Sequence, residues 1–161
     1  VNPVRLKPPI APTIVAVKSG VPIDIDKVWK AYEVLSDRHD FVVVEGIGGL
    51  MVPVDDTLFV ADLVRKMDLP LVIVGSDYLG TINHTLLTVE YAKSRNIRIK
   101  GIIINMLKGD DGFVREIEKY SSVPILGTIP FKENVSVENC VYGDIVEDLR
   151  REINISKIMR K

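Results

Sequence analysis

Apolar residues follow two rhythms along this chain of 161 residues. Continuous, mostly β-branched runs occur at Phe41, Val42, Val43 and Val44, at residues 71–74, within 100–105 and within 124–129. Each reads as a strand covered on both faces of a parallel sheet. Between the runs the spacing changes to that of helices. Val28, Trp29, Tyr32 and Leu35 share one helical face behind a cap at Asp24 or Asp26, in a helix ending near Asp37. Val60, Leu63, Val64 and Met67 share another, with Thr57 as its expected N-cap and Pro70 beyond its end. Ile82, Leu86, Val89 and Tyr91 or Ala92 mark a longer helix over residues 81–95, Phe113 and Ile117 a short one, and residues 144–151 a terminal one. Residues 13–19 have strand composition at Ile14, Val15, Ala16 and Val17. A short helix is the preferred reading, because Pro12 suits a first helical turn and Gly20 a C-terminal stop.

Strands that alternate with helices argue for βαβ units, hence an α/β fold with a mostly parallel sheet and helices on both faces. The length suits a single domain over residues 1–161. In such a sheet the strand ends Glu45, Ser76, Asn105 and Pro130 fall on one edge, where open α/β sheets bind ligands. The prolines at 3, 8, 9 and 12 precede any periodic segment, so the chain is expected to begin in mid-fold.

Composition narrows the function classes. A 47% hydrophobic and 27% charged chain is globular, and its net charge of −1 gives no reason to expect a nucleic-acid partner. The basic residues Arg150, Arg151, Lys157, Arg160 and Lys161 are interleaved with Glu147, Asp148 and Glu152, as on a solvated helix and tail. Cys140 is the single cysteine, which forbids an internal disulfide. No apolar stretch approaches the roughly 20 residues of a membrane helix and no signal peptide opens the chain, so a cytoplasmic protein is expected.

Candidate chemistry gathers in two stretches. In Glu-Gly-Ile-Gly-Gly, residues 45–49, a carboxylate follows a strand run, and Gly46, Gly48 and Gly49 lack the Cβ atoms that hold a polyphosphate or small acid away from backbone N–H groups. The competing reading is a solvated Glu on a flexible turn. In GSDYLGTINHT, residues 75–85, a strand passes through Gly80 into a helix whose free N–H groups suit an anion, with side-chain donors from Thr81 and Asn83. The competing reading there is an ordinary helix start. His39 and His84 have no further ligand at metal-binding spacing, so zinc is unsupported. Met51 stands where a dinucleotide fingerprint needs its third glycine, and no Gly-x-Ser-x-Gly elbow occurs.

Together, VVVEGIGGLMVPVDDTLFVADLV, LPLVIVGSDYLGTINHTLLTVEYAKSRNIRIKGIIIN and PILGTIPF resemble the dethiobiotin synthetases, ATP-dependent ligases of biotin synthesis with a P-loop NTPase-like fold. The resemblance runs through about Phe131. It implies a reaction in which CO2 forms a carbamate on 7,8-diaminononanoate, ATP phosphorylates it, and the second amine closes a cyclic urea. It implies a Mg²⁺ ion at Glu45 and ATP near Glu45, Gly46, Ile47, Gly48, Asn105, Met106, Pro130, Phe131 and Lys132. It also implies substrate at Gly49, Val52 and Pro53, and, from across a homodimer interface, at Leu79, Gly80, Thr81, Ile82 and Asn83. The family's phosphate loop, G-x-x-x-x-G-K-[ST], has no counterpart, because none of the eleven glycines is followed by lysine. The family's catalytic lysines and a second Mg²⁺ carboxylate are likewise expected upstream of Val1, so no catalytic residue is assigned in this chain. The expectation is therefore the C-terminal part of such an enzyme, truncated or partnered by a separate phosphate-loop polypeptide. The alternatives are a non-catalytic ligand-binding or assembly module of the same fold, and the ATPase-like domain of a cobyrinate amidotransferase or partition ATPase. Leu-Gly-x-Ile-Asn-His-Thr argues against the last.

Overall fold

Pro12 opens the first helix, α1 (Pro12–Ser19), where its missing N–H costs nothing, and Gly20 closes it in the left-handed region at φ +67°. The helical reading of residues 13–19 holds over the strand reading. This computed structural model describes residues 1–161 apart from Pro8, Pro9, Ile47, Val137, Arg160 and Lys161. The described chain forms two compact units, Val1–Lys66 and Met67–Lys161.

In the first unit α2 (Ile25–Arg38) starts where expected, with the Asp24 carboxylate accepting the Lys27 N–H at 3.3 Å. The next helix, α3 (Val60–Lys66), begins later than the expected cap at Thr57. Thr57 instead gives both its N–H and its hydroxyl to the Asp55 carboxylate, at 2.7 and 3.0 Å, and Asp55 also takes the Leu58 N–H. That side chain closes a turn before the helix can start, and Asp62 then reaches back to the Phe59 N–H at 2.9 Å. The Lys66 ammonium lies 4.0 Å from the centre of the Trp29 ring.

The largest correction concerns residues 41–44. They were expected to be a buried strand, but they join no ladder, and Phe41, Val43 and Val44 are 49%, 80% and 46% exposed. β-branched composition favours an extended backbone, but a strand also needs a neighbour to take its N–H and C=O groups. Residues 14–17, which also have strand composition, are helical.

The second unit is built on three parallel strands in the order β1 (Leu71–Ser76), β2 (Ile99–Leu107), β3 (Ile125–Pro130). Its helices are α4 (Thr81–Ser94), α5 (Gly112–Ser121), α6 (Ile145–Glu152) and α7 (Ile155–Met159). The alternation expected for a P-loop NTPase-like α/β fold is present, with three strands among the described residues where four were anticipated. Ile73, Ile102 and Ile104 from the sheet, Val89 from α4, and Val114 and Ile117 from α5 form the core. Burying side chains of this size contributes roughly 1.5–3 kcal/mol each, which is what seats both helices on the sheet. Val74, expected inside, is exposed. β2 runs two residues past Asn105 because Met106 adopts φ +58° and the ladder resumes at Leu107, whose carbonyl accepts the Phe131 N–H at 2.9 Å. The tail is docked as well. A Cβ on Gly127 would collide with the Glu152 carbonyl oxygen, and the Asn154 N–H reaches Leu126 O at 2.9 Å. The short α7 was not anticipated.

Candidate functional site

In the first unit the glycine turn follows Glu45, whose side chain is exposed. Gly48 sits at φ +66°, and a Cβ there would lie 2.9 Å from Val52 Cγ2. A Cβ on Gly46 would lie 3.3 Å from Val60 Cγ1, whereas one on Gly49 would meet nothing within 4 Å. The turn is tied down next to these glycines. Val52 N–H donates to Gly49 O, and Val52 O and Leu50 O accept the N–H groups of Val60 and Ala61, each at 3.0 Å. Val52 and Pro53 are half-buried, and Pro53 bridges Phe59. The Thr57 N–H, with those of Leu58 and the Thr57 hydroxyl, holds the Asp55 carboxyl below its ordinary pKa. Ile47 lies outside the described residues.

A divalent cation was expected at Glu45. Among the described residues no group of three or more His, Cys, Asp or Glu is placed to hold a metal. Mg²⁺ keeps several waters and is commonly held by one or two carboxylates together with substrate phosphates. A single exposed carboxylate beside open glycine backbone fits that mode and does not fit a cage built from protein alone.

In the second unit the strand register places Ser76 beside Asn105. The Asn105 side-chain oxygen accepts the Met106 N–H at 2.9 Å, which leaves its amide nitrogen as the donor to other groups. Asp77 joins the two strand ends, its N–H donating to Asn105 O at 3.3 Å and its carboxylate accepting the Lys108 N–H at 2.9 Å. The Lys108 ammonium stands 4.9 Å from the centre of the Phe131 ring. β-pairing thus brings Ser76, Asn105 and Pro130 to one edge, as the parallel sheet predicted, with Met106 and Phe131 next to them in the chain, whereas Glu45, expected at that edge, follows no strand. Asp77 and Lys108 were missed, although an acid just past a strand end was a signal for the first. Lys132, at the same edge, has its amine 2.8 Å from Asp148 and 3.1 Å from Asp144. Bonding to Asp148 first and Asp144 second pushes the Lys132 pKa up, and the bond to Lys132 holds Asp144 down.

The third feature is the start of α4. Gly80 is its N-cap at φ +100°, a conformation that glycine reaches without strain. Thr81 N–H donates to Tyr78 O at 3.1 Å and His84 N–H to Gly80 O at 3.0 Å, leaving the N–H groups of Ile82 and Asn83 without a backbone acceptor. Thr81 is only 4% exposed, and its hydroxyl has no hydrogen-bond partner. It lies 3.6 Å from a Cβ built on Gly75, over the end of β1. Asn83 is exposed, Ile82 half-buried and Leu79 fully exposed. Helix-start donors without a backbone acceptor favour a bound anion, whereas the orphaned hydroxyl is buried against β1.

Residues 1–139 match the AAA domain family. The chain is 38% identical over 164 residues to the ATP-dependent dethiobiotin synthetase BioD of Bacillus velezensis, covering 99% of this chain and 68% of that protein. It is 40% identical over 141 residues to the protein of that name in Bacillus licheniformis, covering 84% and 60%, and 35% identical over 147 residues to that of Methanocaldococcus jannaschii, covering 85% and 69%. The chain therefore spans between 60% and 69% of the length of these relatives.

Proposed function

The chain belongs to the AAA domain family and to the ATP-dependent dethiobiotin synthetases, and on that premise we propose that it serves an ATP- and Mg²⁺-dependent ligase joining CO2 to 7,8-diaminononanoate. The observation that carries this reading is the open start of α4, where Leu-Gly-x-Ile-Asn-His-Thr sets two N–H groups without a backbone acceptor. A helix start of this kind attracts a carboxylate, and the substrate has one.

In this reading Leu79, Gly80, Thr81, Ile82 and Asn83 receive the carboxylate, while Gly49, Val52 and Pro53 border the substrate. Gly46, Ile47 and Gly48 lie along the nucleotide phosphates. Glu45 holds the Mg²⁺, which when bound neutralises phosphate charge. Asn105, Met106, Pro130, Phe131 and Lys132 border the base, and the free Asn105 amide nitrogen supports that role. The AAA match at residues 1–139 runs through both compact units, which supports one domain. Fully exposed Leu79 and exposed Leu87 support a homodimer through α4. Among the described residues no helix is long and apolar enough to cross a membrane, and a cytoplasmic location belongs to the same proposal.

The 161 residues contain no Gly-Lys pair, so the phosphate loop and its lysine are supplied by residues outside them, in the same or a separate polypeptide. The same observation supports the second reading, a non-catalytic module that retains the carboxylate site. Kinetics of the enzyme containing these residues test the first. Asn83→Ala is expected to raise KM for 7,8-diaminononanoate about tenfold with kcat little changed. An unchanged KM would overturn the carboxylate assignment.

A further inference from the structure

Asp148 takes no part in the site as read so far, yet among the described residues it is the only charged one that is buried, at 3% exposure. Each of its carboxylate oxygens meets a cation. Oδ2 lies 2.8 Å from the Lys132 amine and Oδ1 2.7 Å from the Arg151 guanidinium. Lys132 follows Phe131 directly, and the Phe131 N–H donates to Leu107 O, so Phe131 is tied to β2 on one side and to α6 on the other. The segment between β3 and α6 closes on the same ions. Lys132 and Asn134 both donate to Asp144, the N-cap of α6, at 3.1 and 3.4 Å, and Ser136 and Val141 exchange two backbone bonds of 2.8 Å. The far end of α6 rests on β3, where Gly127 leaves room for Glu152 O and Leu126 O accepts the Asn154 N–H. A lysine held by two carboxylates is not a free cation for phosphate. What it supplies is a link between the strand end and the helix, and removing its buried partner would break that link.

We propose that Asp148 is a positioning residue for the nucleotide: it fixes Lys132, and through it Phe131, so that the base edge is complete only while α6 is docked on β3. Nucleotide binding and the docking of α6 then form one coupled equilibrium, in which each strengthens the other by the same factor. This rests on the reading that Pro130 and Phe131 border the base.

The test uses the enzyme containing these residues. By calorimetry, Asp148→Asn should weaken ATP binding about tenfold and leave the affinity for 7,8-diaminononanoate unchanged. In the unmodified enzyme, ATP at about ten times its Kd should slow hydrogen exchange of the α6 amides about tenfold, because only the docked state binds it. Lys132→Met keeps the contacts of α6 with Gly127 and Leu126, and in that variant the effect of ATP on α6 should vanish. A lysine that served stability alone would leave the effect in place. If Asp148→Asn does not fold, the exchange measurement decides. Exchange in α6 that ATP does not change, or normal ATP binding by Asp148→Asn alongside a loss in Phe131→Ala, overturns this inference alone. If Phe131→Ala binds ATP normally, the base-edge reading itself fails and takes this one with it.

Discussion

Gly48 and Gly49 are neighbours under different constraints. Gly48 needs glycine twice over, for its φ of +66° and for the 2.9 Å a Cβ would leave to Val52. Gly48→Ala is therefore expected to destabilise the chain by about 1–3 kcal/mol, read as a shifted denaturant midpoint. Gly49 meets nothing, so Gly49→Ala should stay within about 0.5 kcal/mol. If the space beside it belongs to a ligand, that variant loses substrate affinity while keeping its stability. Glu45 poses a question of charge, because the side chain is exposed and its amide analogue is nearly isosteric. In the enzyme containing this chain, Glu45→Gln should abolish the Mg²⁺ dependence of ATP binding by calorimetry and leave the circular dichroism spectrum unchanged. Normal Mg-ATP binding by the variant would reduce Glu45 to the residue before a turn.

At the scale of elements, α6 is held at the sheet edge by an ion network as well as by contact with Gly127. Lys132 meets Asp148 and Asp144, and Arg151 reaches Asp148 at 2.7 Å. The lowered Asp144 pKa contributes stability that is present above the ordinary 3.8 and is lost as pH falls through the folded value. The raised Lys132 pKa contributes stability that is present below 10.5 and is lost as pH rises through its folded value. Both contributions thus operate between about pH 4 and pH 10. Lys132→Gln should lower the melting temperature at pH 7 and make a smaller difference at pH 3. An equal deficit at both pH values would mean that packing, and not charge, is what the lysine supplies. The start of α2 is simpler. Removing its cap with Asp24→Ala should cost about 1 kcal/mol in thermal unfolding.

At the scale of the whole molecule, Phe41, Val43 and Val44 form an exposed apolar stretch. An unpaired apolar segment invites pairing with another chain. Sedimentation of the 161-residue chain at micromolar concentration should show association, and Val43→Lys should reduce it. Association unaffected by that change would move the contact elsewhere, with α4 and its exposed Leu79 and Leu87 next to be tested. The chain by itself should form no dethiobiotin, because the loop donors and lysine that stabilise phosphoryl transfer are not among its residues. Product above background in a coupled assay would contradict this.

Local rules were enough for much of this molecule. Pro12 and Gly20 bounded α1, Asp24 capped α2, Gly80 preceded α4, and the apolar runs at 71–74, 100–105 and 124–129 became parallel strands. Each outcome depends on side chains a few residues apart, or on runs whose partners lie in the same three-stranded sheet. The paired motifs around Glu45 and Gly80 were legible for the same reason, since a glycine's freedom and a helix start are local properties. Tertiary structure decided the rest. Residues 41–44 have the composition of a strand and no ladder, because hydrogen-bond partners cannot be read from the segment that needs them. The Asp77 link to Lys108, the pairing of Lys132 with Asp148, and the seat of α6 on Gly127 join residues 16 or more positions apart. Only the folded chain brings those atoms within bonding distance.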